Sequence, residues 1–498
     1  MKKEKFVKSL AIGAAALLAG NFGGCANKNT VYIKEEKKGE INMTQKQPNI
    51  ILINCDDLGY GDIGCYGSKL NKTPAIDKLA EEGTLFTDFY MPAAVCTPSR
   101  AGMLTGCYPG RIGCDTFDNL NSHKRSVLFP GDPTGLNPSE ITFAKILKKQ
   151  GYATKLVGKW HLGDQKEFLP TNHGFDSYFG LPFSNSDCRS KWKPDSPPLP
   201  LIRNDEVIQE QPDMAALTER YVDESISFIR ENKDKPFLLY LSHMYVHTPL
   251  YIAEQFMKDS ENGQYGGAVA AIDWSVKAIM YELKKQGMDE NTLILLTSDN
   301  GSVIEDKRTG SSGLGSNEPL RGWKGSTWEG GIRLPLIARW VGKIPAGRKC
   351  SELITAMDFL PTFANLAGGE VPKDRIIDGH DISNILFDKE NAKSPYDVFC
   401  YYIQNKMTSI RDKKWKLWFQ EKELYDLEND VAEKNNLYDK YPEIVKELDK
   451  KADKYRNEIG DSIKGIKGTK RRPVGYVENA KPLTEYDPDH PYIIAMYD

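Results

Sequence analysis

The sequence predicts an α/β fold: a large, mostly parallel or mixed sheet sandwiched by helices, followed by a small C-terminal antiparallel sheet with one helix. Two observations predict the large layer. Apolar β-like runs alternate with amphipathic helical stretches, the pattern of crossover connections around a largely parallel sheet. Four of those runs end in polar residues: Asn49 to Asn54, Ala153 to Val157, Pro236 to Leu241 and Leu293 to Thr297. A third observation predicts the small layer. Beyond a composition shift near Gly368 to His380, the strand-like runs become short and closely spaced.

Taken in order, the first residues read as an export signal. Lys2, Lys3, Lys5 and Lys8 make a basic start, and Leu10 to Ala19 is an apolar run too short to span a bilayer comfortably. Phe22-Gly23-Gly24-Cys25 puts small residues before a cysteine, as in a bacterial lipoprotein processing site, with Phe22 where Leu is usual. The expectation is a signal peptide over 1–24, lipidation of Cys25 in preference to plain secretion, and residence in the bacterial periplasm or on the outer surface. Residues 26–47 are polar and rich in Lys and Glu, which suits a tether.

Residues 48–370 hold the main α/β pattern, including an apolar helix around Leu360 to Leu366. Its four runs deliver Asp56 and Asp57, then Lys159 and His161, then His243 and His247, then Asp299 and Asn300. Ligands of open α/β sheets bind beyond the carboxyl ends of the strands. These side chains are therefore the candidate site. Residues 371–498 carry runs at Val398 to Ile403, Met407 to Arg411, Lys414 to Phe419 and Leu424 to Leu427. A charged amphipathic helix, Tyr441 to Ile459, and a tail expected to wrap the surface complete the chain.

Composition bounds the function. With 498 residues, the chain exceeds one ordinary core, and two domains are expected. A net charge of −3 gives no electrostatic footprint for nucleic acid, so an anionic ligand must be met by local cations. Of nine cysteines, none form a Cys-x-x-Cys pair, which argues against a zinc ribbon or thioredoxin-like site. Setting aside Cys25 and Cys96 leaves an odd number without regular spacing, and no disulfide partners are assigned.

The most informative stretch is Cys96-Thr97-Pro98-Ser99-Arg100-Ala101-Gly102-Met103-Leu104-Thr105-Gly106. Thr97 suits a helix N-cap, Pro98 the first helical position and Gly106 the stop. Cys96 would then face the positive end of a helix, with Arg100 one turn in. Alone, such a cysteine is also a plain buried residue. Asp56 and Asp57 also fit a turn before Leu58-Gly59, but paired carboxylates after a buried strand must find cations. With Asp299 and Asn300 they make an all-oxygen set suited to Ca²⁺ or Mg²⁺. The Gly-rich run Arg321-Gly322-Trp323-Lys324-Gly325-Ser326-Thr327-Trp328-Glu329-Gly330-Gly331 lacks the spacing of a Walker phosphate loop.

Cys96 to Gly106 resembles the signature of the type I sulfatases, Cys-x-Pro-Ser-Arg-x-x-x-Leu-Thr-Gly, at every fixed position. Asp56-Asp57-Leu58-Gly59-Tyr60-Gly61-Asp62, Gly158-Lys159-Trp160-His161-Leu162-Gly163, His247-Thr248-Pro249 and the stretch around Lys324 are similar to further motifs of that family. The resemblance is densest over 48–369, continues at 423–427 and 433–437, and is nearest to the arylsulfatase A-like branch. It implies the alkaline phosphatase-like fold. It also implies oxidation of Cys96 to formylglycine by a maturation enzyme, and one Ca²⁺ (Mg²⁺ as the alternative) bound by Asp56, Asp57, residue 96, Asp299 and Asn300. It implies roles for Arg100, Lys159 and Lys324 on the sulfate, for Asp299 and His161 as bases, and for His247 as acid to the leaving alcohol. His243 is expected to be structural. Ser184, in Gly180-Leu181-Pro182-Phe183-Ser184, stands where that branch places a sulfate-contacting serine. Cys107 replaces a usual basic residue, and Asn185 and Ser186 replace the His and Asp that follow the serine there. Those departures bear on substrate identity.

The implied partner is a sulfated carbohydrate, of galactose or N-acetylgalactosamine type, cut from chain ends, with membrane contact only through the lipid anchor. Trp192, among Arg189, Lys191 and Lys193, is expected to bind the sugar, the alternative being a solvated loop. Two other readings stay open: a phosphate or phosphonate ester hydrolase of the same superfamily, and a non-catalytic glycan-binding surface protein. The first would normally carry Thr or Ser as nucleophile with a two-metal His/Asp set. The second would keep costly buried polar groups without using them.

Overall fold

The computed structural model describes residues 46–484, except 119–123, 191–192, 304, 307–310 and 313. The signal segment, Cys25, most of the tether and Trp192 lie outside the described residues. Ten main strands of an eleven-stranded sheet organise the rest. In chain order they are β1 Asn49–Cys55, β2 Thr84–Tyr90, β3 Ala153–Lys159, β4 Ser177–Leu181, β5 Pro200–Arg203, β6 Glu206–Glu210, β7 Phe237–Ser242, β8 Thr292–Ser298, β9 Arg333–Arg339 and β10 Arg348–Cys350. Their spatial order is β10-β2-β9-β8-β1-β7-β3-β4-β5-β6. The short strand β11, Ile354–Thr355, also pairs with β2.

The four runs singled out in the sequence are the four adjacent strands β8-β1-β7-β3, all parallel. Every residue in them is buried. That is why they read as continuous apolar runs and not as alternating ones. The sheet is mixed at its flanks, where β9 runs antiparallel to β8 and β5 antiparallel to β4.

Side chains of β1 divide between two cores. Ile50 and Leu52 join the cluster holding helices α2 Cys96–Thr105, α3 Phe143–Lys149 and α6 Phe359–Leu366. Ile51 and Ile53 join the cluster of α1 Pro74–Glu81, α4 Leu217–Glu231 and α5 Gly263–Lys285. Each such buried aliphatic contributes about 1.5–3 kcal/mol. The helices thus cover both faces, as the sequence predicts.

The C-terminal strands form an antiparallel sheet, β12 Phe399–Ile403, β13 Lys406–Arg411, β14 Trp415–Trp418 and β15 Glu423–Asp426, joined by α7 Pro442–Ile459. Phe399, Tyr401, Met407, Ile410 and Leu417 share a cluster with Ala101, Met103 and Leu104 of α2. The described tail returns to the main layer: Gly475 and Tyr476 pair with Gly135 and Thr134, and Arg472 holds Glu140 at 2.7 Å.

Close approach at the carboxyl end of β3 depends on a glycine. Gly158 has φ +108°, and a Cβ there would fall 1.9 Å from the Ser242 carbonyl oxygen. Gly158→Ala is expected to cost at least about 1–3 kcal/mol through backbone strain alone. Denaturant unfolding of the variant checks this, and a midpoint equal to the parent's contradicts it.

Candidate active site

The loops leaving β1, β3, β7 and β8 gather the predicted polar residues at one end of the sheet. Backbone bonds stitch these loops together: Asp56 N–H to Tyr245 O at 2.8 Å, Val246 N–H to Asp56 O at 2.6 Å, and Asp299 N–H to Cys55 O at 3.0 Å. Asp57 and His161 sit at φ 66° and 61°, in the left-handed region that non-glycine residues rarely adopt. Such strain persists where the surroundings over-determine it, and it clusters at functional sites.

Helix α2 delivers Cys96 and Arg100. It begins earlier than the sequence predicts: Val95 is the extended N-cap residue, Cys96 is already helical, and Gly106 ends the helix at φ 69° as expected. Thr97 does not cap it; its Oγ1 accepts from the Leu128 N–H at 3.2 Å. The tertiary bond outcompetes the local cap. All ten residues of the helix are buried, which explains its weak amphipathic pattern.

Three carboxylates meet three cations. Arg100 Nε donates to Asp299 Oδ2 at 2.8 Å, and its Nη2 lies 3.6 Å from Asp56 Oδ1. Lys159 Nζ donates to Asp56 Oδ2. Lys324 Nζ donates to both oxygens of Asp57, at 2.7 and 2.9 Å, and sits 3.4 Å from Cys96 Sγ. Arg100 is further locked by Nη1 bonds to Ser242 Oγ at 2.5 Å and Lys159 O at 3.1 Å.

The acidities follow from burial against pairing. Burial alone would raise the Asp56 carboxyl, but Lys159, His247, Arg100 and Lys324 hold it well below the usual carboxylate range. Burial raises Asp57 despite Lys324. Burial, opposed by Arg100 and reinforced by Asp56 and Asp57, pushes Asp299 up to about 7. Burial pushes the Cys96 thiol up to about 12, outweighing Lys159 and Lys324. A helix start therefore does not make Cys96 a thiolate. Unmodified, it is a poor nucleophile.

The donor set fits a hard dication. Oxygens of Asp56 and Asp299 and the Cys96 Sγ lie within 4.8 Å of one another. Asn300 Nδ2 donates to Asp57 Oδ1 at 2.7 Å, which leaves its buried Oδ1 without a hydrogen-bond partner. The oxygens of Asp56, Asp57, Asp299 and Asn300 suit Ca²⁺ or Mg²⁺, while Cys96 Sγ with Asp57 and His247, also within 4.8 Å of one another, is a softer set.

The two site histidines have distinct tautomers. His161 bonds Leu128 O through Nε2 at 3.0 Å, so that nitrogen carries the proton, and its buried Nδ1 is left as a bare lone pair. Burial, with Lys159 and Arg100 nearby, keeps this ring's pKa well below the usual histidine value. His247 Nδ1 bonds Thr248 O at 2.6 Å, and its Nε2 faces Asp57 Oδ2 at 3.8 Å. His243 bonds Ser275 Oγ of α5 at 2.9 Å, away from the cluster. Ser184 is buried, but its bonds are local, to Ser186 N and Oγ. Its neighbour Asn185 ties the segment to Pro249 O at 3.1 Å, beside His247.

Sequence reasoning missed what holds the Lys324 loop. Lys416, fully buried on β14, donates to Thr327 O at 2.8 Å and Glu329 Oε1 at 2.9 Å and pairs with Glu433 Oε1 at 2.9 Å. Arg321 lies 3.5 Å over the Trp328 ring, which packs on Trp418 at 4.0 Å. Asn317 Nδ2 bonds Gly322 O at 3.1 Å, and the Gly325 N–H bonds Ala94 O at 2.8 Å, just before α2. The available signal was a lysine embedded in the apolar strand Trp415-Lys416-Leu417-Trp418.

A doubly covered α/β sheet with buried cations and an oxygen-donor cage around one helix start defines a hydrolase of anionic esters. The sulfatase family profile matches residues 48–369, and the N-sulphoglucosamine sulphohydrolase C-terminal profile matches 322–458. The chain is 39% identical to the steryl-sulfatase of Rattus norvegicus over 408 residues, covering 68% of this chain and 70% of that one. It is 39% identical to the N-acetylgalactosamine-6-sulfatase of the same species over 389 residues, covering 74% and 71%. The crystal structure of Ps i-CgsB in complex with k-i-k-neocarrahexaose is similar at TM-score 0.71 and 31% identity, covering 82% and 93%. The chain belongs to the sulfatase family and is a sulfuric ester hydrolase.

Lys416→Met should destabilise the fold by about 3–5 kcal/mol, because it strands Glu329 and Glu433 in the interior. The unfolding midpoint in denaturant reads this directly. A loss below about 1 kcal/mol would show that the buried ion network does not bind the C-terminal sheet to the Lys324 loop.

Proposed function

We propose that this chain is an exported sulfatase that removes sulfate from carbohydrates at chain ends, through formylglycine at position 96 and one Ca²⁺. The observation that carries the reading is the convergence of Arg100, Lys159 and Lys324 around Cys96 and three carboxylates. Three cations balance three carboxylates without a metal. A dication gives the pocket a net positive charge, which suits a sulfate ester.

A hydrated aldehyde at 96 would offer one hydroxyl to attack sulfur and a second whose deprotonation expels sulfate and restores the aldehyde for rehydration by water, and a Ca²⁺ held by Asp56, Asp57, Asp299 and Asn300 would supply Lewis acidity. The chain's own residues do the rest. Arg100, Lys159 and Lys324 hold the sulfate oxygens. Asp299, which Arg100 Nε holds at 2.8 Å, takes the proton of the attacking hydroxyl. His247 gives a proton from Nε2 to the leaving alcohol, while its Nδ1–H stays on Thr248 O. His161 takes the second hydroxyl's proton on its bare Nδ1. The raised pKa of the Cys96 thiol supports prior oxidation by a maturation enzyme, since the thiol itself is not activated.

Carbohydrate specificity draws support from the N-acetylgalactosamine-6-sulfatase relative and the neocarrahexaose complex. Export draws support from the basic start and the short apolar run before Cys25. Inorganic sulfate release from 3-, 4- and 6-sulfated galactose and N-acetylgalactosamine, with a steroid sulfate and a phosphate monoester alongside, tests the function. Turnover confined to the steroid sulfate or the phosphate ester would overturn the carbohydrate reading.

Peptide mass of active protein should show formylglycine at 96, and Cys96→Ala should abolish turnover while keeping the fold. Full activity with unmodified cysteine at 96 contradicts the mechanism. Chelation should inactivate the enzyme, with recovery on Ca²⁺ or Mg²⁺ and no requirement for Zn²⁺. Asp56→Ala should lose bound metal together with rate, and undiminished activity in a metal-free sample counts against the site.

A further inference from the structure

Trp323 immediately precedes Lys324, whose ammonium lies 3.4 Å from Cys96 Sγ, and its side chain is 51% exposed. Among the described residues no ring or cation packs on it. Trp328, five positions on in the same loop, is instead enclosed between Arg321 and Trp418. One tryptophan anchors this loop and the other is held out to solvent.

The loop that holds it out is fixed on both sides. The Trp323 N–H donates to Ser326 Oγ at 3.1 Å, and that hydroxyl donates back to Trp323 O at 2.7 Å. Asn317 pins Gly322 O, Ser302 O accepts from the Lys324 N–H at 3.2 Å, and Ala94 O accepts from the Gly325 N–H at 2.8 Å. Behind it stands the buried Lys416–Glu329–Glu433 network. An exposed indole on a clamped backbone loses little further entropy on binding, because its own two side-chain torsions are all that remain to be ordered.

We propose that Trp323 is a specificity-determining residue whose indole stacks on the sugar ring bearing the sulfate ester. The proposal rests on the carbohydrate reading of the site and adds the group that recognises the sugar. Neighbouring Cα atoms are about 3.8 Å apart, so the two side chains leave the loop from one point beside Cys96, and the proposal places both on a ligand the size of one monosaccharide. The ammonium of Lys324 takes the anionic ester, and the indole takes the apolar C–H face of the ring. Aromatic residues with one apolar face and a fixed position suit this role.

The test compares the parent enzyme with Trp323→Ala and Trp323→Phe on the sugar sulfate that the parent cleaves. Trp323→Ala should raise KM roughly three- to tenfold, the scale of an aromatic packing contact, and change kcat by less. Trp323→Phe should recover most of the loss. Calorimetric Kd values for the same sulfated sugar on Cys96→Ala and on Cys96→Ala/Trp323→Ala should differ by a similar factor. Equal KM and equal Kd with and without the indole overturn the proposal and leave the carbohydrate reading standing. A parent enzyme that cleaves no sugar sulfate overturns both.

Discussion

Buried carboxylates repel one another, and this site is organised around the cations that permit them. Oxygens of Asp56 and Asp299 approach within 4.8 Å, where two like charges repel by about 3–4 kcal/mol at an effective dielectric near 20. Arg100 offsets this by touching both, at 3.6 and 2.8 Å, while Lys159 and Lys324 each take one carboxylate. Remove one cation and a carboxylate must protonate or find a metal. In the proposed function, a dication among the carboxylates would free ammonium donors for a bound anion.

Fixing six charged groups in register takes more than the strands that carry four of them. Asp57 and His161 adopt left-handed backbone, and Gly158 lets β3 approach Ser242 closely enough for Arg100 to bond both Ser242 and Lys159. Lys324 comes from a loop outside the sheet. Its position depends on Asn317, on Ala94 and on the C-terminal sheet through Lys416. The small sheet thus contributes to the site without supplying a group that touches Cys96.

The two histidines are set in different tautomers by their hydrogen bonds. Carbonyl oxygens fix both tautomers, Leu128 O for His161 and Thr248 O for His247. His161 is held neutral, its Nδ1 unprotonated, by burial beside Lys159 and Arg100. His247 turns its Nε2 toward Asp57 Oδ2 at 3.8 Å. Two residues of one type thus present different ring nitrogens to the site.

What the sequence by itself determined was local and periodic. Short, β-branched apolar runs such as Ile50-Ile51-Leu52-Ile53 read as strands buried on both faces, and polar residues following four of them mark one edge of the sheet. The Cys96 to Gly106 motif and the Asp56-Asp57 pair were legible because their chemistry lies in residue type and spacing. Only the tertiary structure decided the rest, because those features depend on contacts between residues far apart in the chain. Leu128 claims Thr97 and moves the start of α2; burial keeps Cys96 a neutral thiol against the pull of its helix; Ser184 turns to Ser186. Lys416 reads as an ordinary strand lysine until Glu329 and Glu433, 87 and 17 positions away, close around it.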